Sequence, residues 1–227
     1  MDKLKLLANL PLYVDNIPIY SPILRDVAAK GLKQYRMILT YGTITIDSIN
    51  DNTSLKDNYD ALLKLFTDCN DSLSMYLYSI NFLTKVDFIP IIEHGEIIFI
   101  KDNIKLHRDN YDLFVKNVKF ANRLEVNSDE VLDDFDRQVK EMEKKIQEAQ
   151  SKNVQQPDFE DLISAVANFD GNGLNIINIW DLNIYQFYEQ FQRGQLKEQY
   201  KWNLQQLLAG AKPDDIKLES YIKKLDN

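Results

Sequence analysis

A chain of 227 residues with 44% hydrophobic and 27% charged residues can bury a sizeable core and has the make-up of an ordinary soluble protein. Its formal net charge of −8 argues against a nucleic-acid backbone or an anionic membrane surface as partner, since either would want a basic stripe. No apolar run approaches the roughly 18 residues of a membrane span, no signal-peptide cleavage site follows the N-terminal residues, and a single cysteine, Cys69, fits a reducing cytoplasm.

In chain order, Leu12-Tyr13-Val14 and Ile17-Pro18-Ile19-Tyr20 flank the turn-prone Asp15-Asn16, which predicts a small hairpin with Pro18 on an edge strand. Ser21-Pro22 reads as an N-cap with proline at the first helical position, opening a helix to about Tyr41 that Gly31 divides in two. Thr43 to Ile46 reads as a short strand. Ser54 is expected to cap a second helix carrying Tyr59, Leu62, Leu63, Leu65 and Phe66. A third helix, from Asp71 to about Leu83, carries Leu73, Tyr76, Leu77, Ile80 and Leu83. Val86 to Ile92 and Glu96 to Ile100 form a hairpin around a three-residue Glu93-His94-Gly95 turn, and Ile104 to His107 adds a third strand. Asp109 is the expected cap of a helix with the stripe Tyr111, Phe114, Val115, Val118 and Ala121.

The character of the sequence changes after residue 125. Leu132, Phe135, Val139, Met142, Ile146 and Ala149 alternate spacings of three and four, a narrow seam on an otherwise charged helix over 126–152. Acids at its start and lysines later suit the helix dipole. A polar linker ends at Pro157, and Phe159, Leu162, Ile163, Val166 and Phe169 make one more amphipathic helix. The fold class is therefore α+β and predominantly helical, with a small antiparallel hairpin element. It divides into an N-terminal α/β portion (1–125), the charged helix (126–152) and a helical C-terminal portion (153–227).

The densest aromatic spacing lies between Gly173 and Pro213. Asn183 is a plausible N-cap for a helix whose first face is Ile184, Phe187, Tyr188 and Phe191. Trp180, Phe187 and Phe191 are expected in the core. A second set, Leu196, Tyr200, Leu204, Leu207 and Leu208, points to nearly the opposite side, so a break near Gly194 is expected, and Gly210 reads as the C′ residue before Pro213. This second set is the candidate partner-binding surface. The alternative is that helices of the same chain cover it.

Chemistry is sparse. Asn168 to Gly173 matches the first half of a calcium loop, but position 12 is Ile179 where calcium needs a bidentate glutamate. His94 and His107 have no Cys/His cluster at zinc spacing, and Cys69 sits beside Asp68 and Asp71, which disfavour a thiolate. With 7 glycines and no nucleotide, zinc-protease or nucleophile-elbow motif, no catalytic, cofactor or metal residues are assigned, and the chain is read as a non-enzyme.

Two stretches carry a resemblance. Leu10-Pro11-Leu12-Tyr13-Val14, with Ile19, Ser21 to Val27, Gly31 and Tyr35, resembles the opening of small tail-assembly proteins of phages of low-GC Gram-positive bacteria. Ile179-Trp180-Asp181-Leu182-Asn183 to Phe191 is similar to the tryptophan-plus-helix element near the end of the same proteins. The resemblance implies a tail-assembly chaperone, which oligomerises around the tape-measure protein and keeps it soluble. It also implies a longer product made by frameshifting, for which Lys223-Lys224 is a candidate slippery site. The alternatives are a structural virion protein of the tail, neck or baseplate, and a phage effector or unrecognised enzyme.

Overall fold

In a computed structural model the described residues are 2–49, 55–124, 158–212, 216, 218 and 220–222. The charged helix expected over 126–152, Ser54 and Lys223-Lys224 lie outside them. The architecture is α+β and predominantly helical, with two small antiparallel sheets.

Two hairpins anchor the N-terminal portion. Strands β1 (Leu12–Val14) and β2 (Ile17–Ile19) pair around Asp15-Asn16, with Asp15 at φ 51°. Strands β3 (Ile89–Glu93), β4 (Glu96–Lys101) and β5 (Ile104–Leu106) follow in the order β3-β4-β5. Glu93 pairs with Glu96, so the turn is the two residues His94-Gly95 and not three. Both have positive φ (52° and 85°), the geometry whose twist matches the flanking strands. The residues flanking a two-residue loop form a hydrogen-bonded pair, and pairs alternate from there. Pro18, opposite Tyr13, and Pro90, opposite Phe99, both fall at positions whose N–H would face outward. Each proline therefore costs no ladder bond and blunts an open edge.

Helix α1 (Lys3–Leu7) starts after Asp2, whose side chain makes no capping bond, and buries Leu6. Helices α2 (Leu24–Lys30) and α3 (Leu32–Gly42) meet at Gly31, whose φ of 84° is open to glycine at no steric cost. Ser21 is not the cap of α2; Ile23 occupies that position without a side-chain bond. Thr43 to Ile46 forms no strand. The Ser48 hydroxyl accepts from the Thr45 N–H, the Asn58 side chain accepts from that of Ile46, and Ile46–Ser48 winds as a 3₁₀ turn. Helix α4 (Asn58–Asp68) is capped by Asp57, which accepts from Asp60 N–H at 2.8 Å. Helix α5 (Ser72–Thr84) packs along α3, and β2 joins it through Tyr20 N–H to Leu83 O at 2.9 Å. Helix α6 (Arg108–Ala121) begins after His107, with Asn110 accepting from the His107 N–H, so Asp109 lies in the first turn and is not the cap. Its stripe of Tyr111, Phe114, Val115, Val118 and Ala121 is buried throughout.

Helix α7 (Phe159–Ala167) and helix α8 (Ile184–Leu208) complete the described fold, separated by a 3₁₀ turn at Ile179–Asp181. One apolar cluster runs from Leu6 to Tyr188 and draws on every helix from α1 to α8. The C-terminal helices thus share their core with the N-terminal portion.

Candidate partner surface on the C-terminal helix

The start of α8 is tied to two earlier parts of the chain. Asn183 Oδ1 accepts from the Gln186 N–H at 2.7 Å while Gln186 Oε1 accepts from the Asn183 N–H at 2.9 Å, a reciprocal cap. The Asn183 amide then donates to Leu6 O at 2.9 Å and Asn9 Oδ1 at 3.0 Å, and Gln186 donates to Leu7 O at 2.8 Å. Two carbonyls in the last turn of α1 are bonded in this way, Leu6 O in addition to the Asn9 N–H that it accepts at 3.1 Å. Ser21, expected to cap its own helix, instead accepts from the N–H of Tyr185 at 3.0 Å. Pro22 O accepts from Ile184, Leu24 donates to Leu182 O, and Ile23 and Asn183 form a β-bridge.

The first turns of α8 are core. Ile184, Tyr185, Phe187 and Tyr188 are buried, as expected for Phe187, whereas Phe191 and Trp180 are only partly buried against the cluster. Glu189, on the same stretch, accepts from Arg123 at 2.7 Å, Lys3 at 2.9 Å and Arg193 at 3.3 Å. The Arg123 guanidinium lies 4.3 Å from the centroid of the Tyr185 ring. Side-chain exposures of 5% and 10% make Arg123 and Glu189 a buried pair. Such a pair adds little net stability but is costly to break, about 3–5 kcal/mol if one partner is lost. No local pattern announces it, because its members lie 66 residues apart.

The helix does not break at Gly194; α8 is continuous over 25 residues. The glycine is there for contact, since a Cβ built on it would lie 2.2 Å from two carbons of the Phe169 ring. Phe169 in turn stacks on Phe191 at 6.5 Å. The two apolar sets therefore lie on one helix at different heights.

The distal half carries the candidate residues. Leu196, Tyr200 and Leu207 are partly buried, and Leu204 and Leu208 are 38% and 80% exposed. Trp202, 59% exposed, stands on the opposite side of the helix by its spacing. Polar contacts flank the stripe. Lys197 donates to Asp170 O at 2.7 Å, and Lys201 pairs with Glu198 at 2.8 Å. Tyr200 meets Tyr221 edge to face at 5.7 Å, and Arg193 donates to Tyr221 O at 2.9 Å. The helix ends as read from its glycine: Gly210 has φ 96°, Gly210 N–H bonds to Leu207 O and Ala211 N–H to Gln206 O.

Elsewhere the polar groups hold structure. Burial pushes the Tyr35, Tyr76 and Tyr111 phenols well up, keeping them neutral. Tyr35 donates to Asn122 at 2.5 Å and Tyr111 to Ile44 O at 2.9 Å. Arg108 binds Asp57, Asp60 and Glu96. In the half-calcium loop, Asn172 bonds Val166 O and the Leu174 N–H. His94 is exposed in its turn, and His107 precedes α6, within 3.5 Å of Asp109. Among the described residues no three metal-capable side chains cluster, and no helix is long and apolar enough to cross a membrane.

Residues 149–226 match the family model of the YomV second domain, a phage-associated domain. The match spans α7, the loop after it and all of α8, and so contains the candidate surface. Comparison with curated proteins and with solved structures gives no match.

Proposed function

We propose that this chain is a non-catalytic phage protein that docks a helical protein partner on the distal half of α8, in the manner of a tail-assembly chaperone holding the tape-measure protein. The observation that carries this reading is the stripe Leu196, Tyr200, Leu204, Leu207 and Leu208, on one helix, with none of the five buried. A contiguous apolar strip on a rigid helix suits the anchor side chains of a second amphipathic helix. Net charge of −8 keeps such a complex soluble. The phage-associated domain match over this region supports the setting, and the tail-assembly resemblance of the two quoted stretches supports the partner. The same surface serves self-association into an oligomer, and the work is done in the host cytoplasm.

The test is co-expression with a segment of the tape-measure protein from the same phage. The wild-type chain is expected to co-purify with it. The Leu204→Glu/Leu208→Glu variant is expected to keep its far-UV circular dichroism and lose the segment. Equal recovery by both, or loss of the fold in the variant, overturns the assignment of this surface. Abundant peptides of this chain in purified virions would instead place it among the structural proteins of the tail, neck or baseplate.

A further inference from the structure

We infer that residues 220–222 are the resident occupant of the α8 stripe at Tyr200, a part of the same chain that an incoming partner has to displace there. The inference rests on the reading of α8 as a partner surface and names what holds that surface beforehand. Three contacts seat the segment. The Tyr221 ring packs on Tyr200, Arg193 donates to the Tyr221 carbonyl, and Tyr221 and Ile222 close a pocket of about 260 Å³ with Phe169, Gly194 and Gln190. The path is geometrically comfortable. Gly210 ends the helix with φ 96°, and the way from Leu208 to Arg193 along the helix is roughly 22 Å at 1.5 Å per residue. The eleven residues from Gly210 to Tyr221 reach roughly 36 Å when extended.

The seat is shallow. Leu218, Tyr221 and Ile222 stay 43%, 37% and 78% exposed, whereas side chains that belong to the core fall below a tenth. Residues that remain this exposed in their seat are more easily exchanged than a core side chain. The segment holds its place through the high effective concentration of a tethered ligand. It also specifies the chemistry of its replacement: an aromatic side chain against Tyr200 whose carbonyl accepts from Arg193, followed directly by an aliphatic residue over Phe169 and Gly194.

The experiment uses the full chain and a fluorescein-labelled peptide of residues 216–227, read by anisotropy. Tyr221→Ser/Ile222→Ser empties the seat without touching the core. This variant is expected to bind the peptide saturably and at least tenfold more tightly than the wild-type chain. Adding Tyr200→Ala is expected to abolish that binding. Equal binding by wild type and the double variant, or binding that survives Tyr200→Ala, overturns the inference. Failure of the partner reading looks different: the peptide behaves as expected, while neither chain retains a co-expressed tape-measure segment.

Discussion

Gly194 and Phe169 approach so closely that no methyl group fits between them: a Cβ at position 194 would meet the ring at 2.2, 2.2 and 2.9 Å. The ring lies where a side chain of α8 would otherwise stand, and it is backed by Phe191. A glycine that weakens an isolated helix here lets the loop after α7 close against α8.

Gly194→Ala separates the two roles a mid-helix glycine can have. At a break or in open solvent, alanine gains about 1 kcal/mol of helix propensity. Here it is expected to destabilise, because overpacking typically costs about 1–3 kcal/mol and the clash is with a ring held on its other side. Urea denaturation measures the sign. In a Phe169→Ala background the same substitution is expected to become stabilising, and a double-mutant cycle reads that coupling. A stabilised single variant would return Gly194 to the role of a helix interruption.

Asn183 divides its side chain between two jobs, and two substitutions resolve them. Asn183→Asp keeps the acceptor that caps α8 but loses the donors to Leu6 O and Asn9. It also brings an acid against a buried carbonyl. Asn183→Ala loses the cap as well, which alone costs about 1 kcal/mol. Both are expected to destabilise. The aspartate is expected to cost at least about 1 kcal/mol despite being a good cap elsewhere, because a carboxylate oxygen then faces two acceptors, Leu6 O and Asn9 Oδ1, where the amide donated to both. An aspartate variant as stable as wild type would show that the tie to α1 contributes nothing.

What was legible in the sequence was local. The α6 stripe, the first hairpin, the Gly31 division, the Asn183 cap and the Gly210 end depend on residues within a few positions of one another, and each lies where the spacing put it; the second hairpin also forms, but around a two-residue turn in place of the three expected. What was not legible depends on partners far along the chain. Ser21 caps a helix 164 residues away, and Gly194 answers to a ring in the preceding loop. Thr43 to Ile46, strand-like in composition, lacks a neighbouring strand and takes its bonds from Ser48 and Asn58. The candidate stripe follows the same division. Its five residues were readable by helical spacing, while the return of Tyr221 onto Tyr200 carried no sequence signal.

The last prediction concerns acid. Asp60 is held below its ordinary value of 3.8, first by the Lys56 backbone N–H at 3.0 Å and further by Arg108 at 2.9 Å, against the opposing effect of burial. A carboxylate whose folded value is depressed binds protons more readily in the unfolded chain. Its contribution is therefore fully present above 3.8 and is lost as pH falls through the lower folded value. Arg108 stays charged throughout, since Glu96 and the two aspartates push it further up. With 24% of the Asp60 side chain exposed, solvent screens the pair, so its loss is expected to cost about 1 kcal/mol at neutral pH and not the 1.5–3 kcal/mol of a fully buried charged hydrogen bond. Asp60→Asn keeps the acceptor for Lys56 and turns an amide toward Arg108 in one of its two orientations. Urea melts of both proteins from pH 7 to pH 2 are expected to show the variant less stable at neutral pH, with the gap closing only below 3.8. A gap that is unchanged down to pH 2 would mean that the Asp60 carboxylate does not titrate with unfolding.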